Sequence, residues 1–280
     1  MDFNNKLALV SGGSSGIGLA VAKLLAQKGA SVFILARTVE KLQAALAEIE
    51  TARCTPQQVF GSIVADVSNE AEVTDAIQQF ISAHGVPDIL CNAAGVAHPG
   101  EFDRLDSRIF RWMMEVNYLG TVYVTRAVAA GMISRKSGMI INFSSVLGFL
   151  AFYGYSAYCA SKYAVRGFSD ALRVEMKRYG VQVSVVFPSD VETPQLEYEH
   201  QHQTEVIKAF YQVLAQLFGA KTITPQAVAE EVLEKAARGR YVILPGSDAK
   251  LSFFLVGALG NLIYPLIDRL MRMAYKKLNQ

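Results

Sequence analysis

The chain has 280 residues, of which 51% are hydrophobic, enough to bury a large core in one α/β domain. Its 27 basic and 25 acidic residues give a formal net charge of +2, a balance that argues against a nucleic-acid partner. The three cysteines, Cys54, Cys91 and Cys159, do not suit a disulfide scaffold and indicate a reducing, cytoplasmic location. The N-terminus leads directly into an apolar strand, and no signal peptide is expected there.

Short apolar runs alternate with amphipathic helical patterns along the chain. The predicted strands are Leu7–Val10, Val32–Leu35, Val59–Val64, Ile89–Cys91, Met139–Phe143, Val181–Phe187 and Tyr241–Leu244. The clearest helices between them are Gly16–Gln27, Val39–Ile49 and Glu70–Ala83. This alternation predicts an α/β fold over residues 1–250, with a single doubly wound, Rossmann-type parallel sheet and helices on both faces.

A glycine-rich turn lies between the first strand and the first helix. It reads Ser11-Gly12-Gly13-Ser14-Ser15-Gly16-Ile17-Gly18. Gly12, Gly16 and Gly18 allow a tight turn and close approach to a pyrophosphate, and the amides that begin the helix face that anion. Ser14, Ser15 and Ile17 belong to the same predicted site. Many glycine-rich turns are only loops, but the position between a strand and a helix indicates a dinucleotide site.

The second strand ends in Ala36-Arg37-Thr38, where NAD-preferring sites carry an acidic residue about 20 positions after the glycines. Arg37 follows Gly18 by 19 positions, and its guanidinium suits a 2′-phosphate through charge-assisted hydrogen bonds. Lys41, one helical turn further, adds positive charge. The alternative is an exposed arginine at a strand end, but the context favours NADPH as the cofactor.

The ends of the next two strands complete the predicted cofactor site. Asp66, followed by Val67, can accept a hydrogen bond from the adenine amino group, although capping of the next helix explains it equally well. Asn92-Ala93-Ala94-Gly95 ends the fourth strand, where small residues let the chain pass beneath the cofactor.

A second group of residues indicates proton transfer. Tyr158 and Lys162 are four residues apart and would share one face of a helix. The alternative to a functional pair is that they are two ordinary surface residues. A free tyrosine titrates near pH ~10, and a neighbouring ammonium would lower its pKa. Ser144-Ser145 follows the fifth strand, and one of these hydroxyls can hydrogen-bond a reacting carbonyl oxygen. Asn117 is a polar residue in an apolar, predicted helical segment.

Together these motifs resemble those of the short-chain dehydrogenase/reductase family. The resemblance covers residues 6–193 and rests on Gly12, Gly16, Gly18, Asn92–Gly95, Asn117, Ser145 and Tyr158–Lys162. It implies that Tyr158 is the proton donor and that Ser145 orients the carbonyl. It also implies that Lys162 binds the ribose hydroxyls and tunes Tyr158, and that Asn117 supports a water relay.

The loop after the sixth strand takes part in the same resemblance. Pro188, Val191 and Thr193 are implied to contact the nicotinamide end of the cofactor. Pro188-Ser189 stands where the family commonly has Pro-Gly, so the details of this loop stay open.

Within the family, the chain is similar to the reductases of 3-ketosphinganine. The similarity lies in Gly13–Gly16, Arg37, Lys41, Asn117–Gly120, Pro188–Pro194, Thr224-Pro225, Gly246–Asp248 and the apolar C-terminal tail. It implies reduction of a long-chain lipid ketone, 3-ketosphinganine, to sphinganine with NADPH. The family resemblance also implies a homodimer or homotetramer, formed through helices near residues 107–130 and 158–178.

Two other functions compete with this interpretation. One is a family reductase that acts on 3-oxoacyl thioesters or steroids. The other is a catalytically silent NADP(H) sensor, although a sensor need not retain Ser145, Tyr158 and Lys162 together.

Residues 194–221 interrupt the alternation with an insertion. Its centre places Ile207, Phe210, Tyr211, Leu214, Leu217 and Phe218 on one helical stripe. Because ligands bind beyond the carboxyl ends of parallel strands, we expect a substrate lid here, with packing on the core as the alternative. His200 and His202 beside Glu199 have a spacing that suits one strand face, but we expect a solvated polar loop and predict no metal site.

Residues 251–280 form an apolar tail. Leu251–Ile267 carries no charge, and its 17 residues are marginal for crossing a bilayer. Pro265 is expected to kink or split any helix there, which favours two short helices. The basic residues Arg269, Arg272, Lys276 and Lys277 follow. Two interpretations stay open: packing on the core or in a dimer, and attachment to the cytoplasmic membrane surface.

Overall fold

The computed structural model describes residues 2–219 and 221–278, without the side chain of Phe218. Its strands are β1 Leu7–Ser11, β2 Ser31–Ala36, β3 Phe60–Val64, β4 Ile89–Asn92, β5 Gly138–Phe143, β6 Val181–Val186 and β7 Val242–Ile243. They form one seven-stranded sheet in the order β3-β2-β1-β4-β5-β6-β7, and every pair is parallel. The order reverses between β1 and β4, which creates the crevice where ligands bind in this architecture.

Helices cover both faces of the sheet. They are α1 Gly16–Gln27, α2 Val39–Glu50, α3 Glu70–His84, α4 Ser107–Met113, α5 Gly120–Arg135, α6 Ser156–Lys177, α7 Pro194–His202, α8 Glu205–Phe218, α9 Pro225–Ala237, α10 Ser247–Leu259 and α11 Ile263–Leu278. Each predicted strand end, and each end of the first three helices, lies within one residue of the observed end. The predicted doubly wound fold is confirmed.

The core has two layers because successive strand residues point to opposite faces. Val10 and Ile34 pack in the layer formed by α1, α2 and α9. Leu9 and Leu35 pack in the other layer, against α3, α5 and α6. Strands buried on both faces explain the continuous apolar runs in the sequence.

The helix predicted around Asn117 has an irregular centre. A π-helical turn, Met114–Leu119, joins α4 to α5. Such turns widen a helix by one residue per turn and often occur at functional sites. Here the turn carries Asn117 into the interior, where only 1% of its surface is exposed.

The predicted insertion is helical, and it does not contain a polar loop at His200 and His202. Both histidines lie on α7, whose first residue is Pro194 and whose N-cap is Thr193. On α8, Ile207 and Phe210 of the predicted stripe are fully buried, whereas Leu217 of the same stripe is 53% exposed. The side chain of Phe218 lies outside the described part of the structure.

The C-terminal helices break five residues earlier than Pro265. A short turn, Gly260–Leu262, separates α10 from α11, and Gly260 has a φ of +51° that favours glycine. Pro265 stands in the first turn of α11, where its missing amide hydrogen removes no helical hydrogen bond. Helix α11 packs against α8, with Leu270 and Ala274 buried in the shared cluster.

Candidate active site

The glycine-rich turn is shaped for close backbone approach. Gly12 has a φ of +70°, and a Cβ there would lie 2.6 Å from the Cα of Ala94. A Cβ on Gly18 would lie 2.2 Å from the carbonyl oxygen of Gly12. The N-cap of α1, Ser15, makes no side-chain capping hydrogen bond, so the first amides of α1 are left for another acceptor. The turn therefore fits a pyrophosphate at the helix N-terminus.

A cleft runs from this turn along the carboxyl ends of β1, β2 and β4, and we call it the cofactor cleft. Of the predicted cofactor residues, Gly12, Ser14, Ser15, Gly16, Ile17, Gly18, Arg37, Lys41, Val67, Ala93, Gly95 and Thr193 line it. Sequence reasoning thus brought together residues from five separate segments of the chain.

Arg37 and Asp66 contact each other at the edge of this cleft. Their side chains form an ion pair of 3.7 Å, in which Arg37 remains half exposed. Asp66 also accepts hydrogen bonds from the amide and hydroxyl of Ser68, at 2.9 and 2.7 Å. The cap of α3 is Asn69, which accepts from the amide of Glu72, so the alternative capping role for Asp66 is wrong.

Asn92 occupies a different place from the one its predicted role requires. Its side chain is buried and donates to Thr125 at 2.8 Å and to Asn142 at 2.9 Å. These bonds tie β4 to β5 and α5 inside the core. The neighbouring Ala93 and Gly95 line the cofactor cleft, but Asn92 is not among the cleft-lining residues.

The structure separates the roles of the two adjacent serines. The hydroxyl of Ser144 is buried and donates to the carbonyl oxygen of Lys162 at 2.9 Å. Ser145 instead lines a second groove beside Tyr158, and its hydroxyl accepts from the amide of Leu147 at 3.1 Å. Of the two, only Ser145 is placed to meet a substrate carbonyl.

Lys162 and Asn117 lie beneath the cofactor cleft. The ammonium of Lys162 donates to the carbonyl oxygen of Phe143 at 3.0 Å and would lie 3.3 Å from a Cβ on Gly95. Asn117 donates to the carbonyl oxygen of Val96 at 2.9 Å and accepts from its amide at 2.7 Å. Its side chain therefore positions the chain after β4, and its support of a water relay stays a prediction.

Burial lowers the pKa of Lys162 to about 8, partly offset by the negative charge of Glu199. The expected lowering of the Tyr158 pKa is wrong. Burial raises the pKa of Tyr158, the charge of Glu199 raises it further, and hydrogen bonds with Ser145 and Gln195 lower it only in part. Tyr158 is therefore protonated at neutral pH, as a proton donor must be.

The second groove, which we call the substrate groove, begins at Ser145 and Tyr158 and has a cavity volume of about 240 Å³. Its walls come mainly from apolar residues of α8, α10, α11 and the segment after β5: Val146, Leu147, Leu150, Phe152, Tyr211, Leu214, Leu251, Leu255, Ile263, Leu266, Ile267 and Leu270. Pro188 and Val191 line this groove. Ile17, Thr193 and Gln195 line both the groove and the cofactor cleft, so the two sites meet there.

Glu199 is a groove residue that sequence reasoning missed. It is 9% exposed, and the amide of Gln195 donates to its Oε1 at 3.1 Å. Burial raises its pKa to about 7, the hydrogen bonds of Gln195 and Tyr155 lower it, Asp190 raises it and Lys162 lowers it. The available signal was the helix start at Thr193-Pro194, which makes Gln195 and Glu199 neighbours on one helix face.

Comparison with known proteins agrees with this geometry. The profile of the short chain dehydrogenase family matches residues 6–204. The 3-ketodihydrosphingosine reductase of Bos taurus is 36% identical over 241 residues, covering 86% of this chain and 71% of its own length. The protein of the same name from Dictyostelium discoideum is 34% identical over 280 residues, covering 95% and 82%.

A solved structure supports the same assignment. A variant of actinorhodin polyketide ketoreductase, crystallised with NADPH, superimposes with a TM-score of 0.75 at 31% identity, covering 85% of this chain and 95% of that one. The family profile spans more than half of the chain, and Ser145, Tyr158 and Lys162 stand beside a dinucleotide cleft. This chain is therefore an oxidoreductase that belongs to the short-chain dehydrogenase/reductase family.

Proposed function

We propose that this enzyme reduces a long-chain lipid ketone with NADPH, and that its substrate is 3-ketosphinganine, which it converts to sphinganine. The observation that carries the proposal is the substrate groove, because a long apolar channel leads away from the Ser145 and Tyr158 hydroxyls. Relatives named 3-ketodihydrosphingosine reductase, at 34% and 36% identity, support this substrate. The runner-up is a 3-oxoacyl thioester, since a protein of Streptomyces coelicolor named putative ketoacyl reductase is 32% identical over 267 residues.

The chain's own residues account for the proton and for the orientation of the ketone. The nicotinamide, when bound, supplies the hydride. Ser145 holds the carbonyl oxygen, and protonated Tyr158 donates to that oxygen as negative charge develops on it. Lys162 lies just beneath Gly95 in the cofactor cleft, where its ammonium can bind ribose hydroxyls and favour the phenolate that Tyr158 becomes.

Arg37 and Lys41 support the choice of NADPH over NADH. Both line the cofactor cleft near the end of β2, and the Arg37 side chain is still 56% exposed although it forms an ion pair with Asp66. A guanidinium at this point can bind a 2′-phosphate with two parallel hydrogen bonds.

The lid and the tail favour a long acyl chain. Tyr211 and Leu214 of α8, in residues 194–221, face Leu255 of α10 and Leu266 of α11 across the groove. Each substrate methylene that is buried against these apolar side chains contributes about 0.8 kcal/mol to the binding free energy. A small polar ketone would leave the apolar walls of the groove exposed to solvent.

We further propose that the tail rests on the cytoplasmic surface of a membrane. By length and composition, Ser247–Leu278 is able to cross a bilayer, with a mean hydropathy of 1.6. The break at Gly260 and the packing of α11 on α8 favour surface contact over a single span. Phe254 and Leu262 are 68% and 70% exposed, and they would enter the interface. Assembly as a homodimer or homotetramer through α5 and α6 remains part of the proposal.

The test is turnover of 3-ketosphinganine in detergent micelles with NADPH or NADH. We expect loss of NADPH absorbance together with sphinganine, identified by mass spectrometry. Tyr158→Phe is the matched control, because it keeps the ring and removes the transferable proton. Absence of sphinganine with the wild-type protein, while a 3-oxoacyl thioester is reduced, would transfer the assignment to the runner-up.

A further inference from the structure

A carboxylate stands at the polar end of an otherwise apolar groove. Glu199 lies on α7, lines the groove, and is more than nine-tenths buried. It lines the groove together with Ser145, Tyr158 and Gln195, the polar residues near the reacting end. Burying a carboxylate is costly unless a partner compensates it.

The partners in the protein do not neutralise this carboxylate. Gln195 offers an uncharged hydrogen bond to Oε1 at 3.1 Å, and Tyr155 provides a second neutral donor. Lys162, whose positive charge acts on Glu199, donates its hydrogen bond to the carbonyl oxygen of Phe143 and not to the carboxylate. Asp190, which lines the same groove, adds negative charge instead of compensating it. The polar end of the groove therefore suits a cation.

The position of Glu199 indicates which part of the ligand carries the positive charge. Gln195 donates to Glu199 at 3.1 Å, and both residues line the groove together with Tyr158. Ser145, Tyr158 and Glu199 line the same groove, so a ketone held by the two hydroxyls would share that groove with the carboxylate. In 3-ketosphinganine the carbon next to the ketone carries an amino group.

We infer that Glu199, assisted by Asp190, binds an ammonium group on the carbon next to the substrate ketone, and so makes this enzyme selective for long-chain α-amino ketones. This inference rests on the proposed lipid-ketone reductase activity and adds the residue that recognises the head of the substrate. A charged hydrogen bond in a buried site discriminates strongly, because the substrate that lacks the charge leaves the carboxylate unpaired. Neutral 3-oxoacyl thioesters are disfavoured for the same reason.

The experiment compares three ketones: 3-ketosphinganine, its N-acetyl derivative, and 1-hydroxyoctadecan-3-one, which lacks the nitrogen. The variants are Glu199→Gln, Asp190→Asn and, as a matched control on the exposed side of α7, Glu197→Gln. We expect Glu199→Gln to lower kcat/KM for 3-ketosphinganine at least tenfold, mainly through KM. It should change kcat/KM for the two uncharged ketones less than threefold, and Glu197→Gln should change none of the three.

A binding measurement keeps the inference separate from the activity. Calorimetry with sphinganine and N-acetylsphinganine should show wild-type preference for the charged amine, and Glu199→Gln should remove that preference. NADPH affinity and the Tm report whether each variant folds. Equal losses for charged and uncharged ketones, or a wild-type protein that binds both amines alike, would overturn the inference. If the inference fails in this way, turnover of uncharged long-chain ketones would still support a lipid-ketone reductase. Conversely, preference for the charged amine without turnover of any ketone would support the inference and refute the proposed activity.

Discussion

Replacing Glu199 by glutamine should stabilise the protein, and increasingly so as the pH rises. Burial raises the folded-state pKa of Glu199 from 4.5 to about 7. Hydrogen bonds from Gln195 and Tyr155 and the charge of Lys162 lower this pKa, whereas the charge of Asp190 raises it. At about 1.36 kcal/mol per pKa unit, ionising this buried group costs the folded state about 3 kcal/mol. A raised carboxyl pKa means that this cost is absent below pH 4.5, grows as the pH rises, and is complete above pH 7. Glutamine keeps the shape and carries no charge.

Urea unfolding of the wild type and Glu199→Gln at pH 5 and pH 7.5 isolates the effect. The upper value stays below the pKa of Lys162, which is about 8, so the lysine remains mostly charged. Tyr155, Tyr158 and Tyr211 also face Glu199 and stay protonated throughout, because burial raises the pKa of each. Asp190, whose pKa is also raised by burial, is present in both proteins. We expect the stability advantage of the variant to be about 2 kcal/mol larger at pH 7.5 than at pH 5. An advantage that is equal at both pH values would show that Glu199 is not a buried ionising group.

Four further predictions concern the chemistry, the cofactor, the substrate and the membrane. Tyr158→Phe should lower turnover by about 10²–10⁴ with cofactor affinity retained, as measured by steady-state kinetics and NADPH fluorescence, and near-normal turnover would refute its role as proton donor. Arg37→Asp should weaken NADPH binding at least about tenfold and NADH binding much less, since it loses a charged hydrogen bond and gains a repulsion; equal losses would mean a structural role. Affinity in a homologous ketone series should rise roughly tenfold for every two methylenes until the groove is filled, and a flat series would contradict an acyl-chain site. The double variant Phe254→Asp/Leu262→Asp should stay in the supernatant with anionic vesicles that sediment the wild type, and it should still reduce a soluble ketone because neither side chain lines the groove.

The sheet and the cofactor cleft could be predicted because their signals are local. Strands that are buried on both faces have continuous apolar runs, and the polar or glycine residues at their ends mark where they stop. The glycine turn and Arg37 each follow a strand directly, so the strand order alone brings them to one edge. Tyr158 and Lys162 are joined by the helical repeat.

The burial of Glu199 could not be predicted, although the helix that carries it could, because its environment is tertiary. Glu199 lies in the polar stretch Glu197–His202, which has the composition of a solvated segment. Its environment includes Tyr155, which precedes α6, and Tyr211 of α8, and both are distant from it in sequence. The direction of the Tyr158 pKa was missed for the same reason, since the sequence shows the nearby Lys162 but neither the loss of solvent nor the charge of Glu199.

The substrate groove and the catalytic groups come from different stretches of the chain, and this arrangement has an evolutionary consequence. The glycine turn, Ser145, Tyr158 and Lys162 all precede β6, whereas α8, α10 and α11 supply most of the apolar wall. Mutations in the last third of the gene can therefore reshape the ligand spectrum while the reaction itself is inherited unchanged. Duplicated copies of such a gene are free to diverge toward new ketones by drift in this region, without passing through an inactive ancestor.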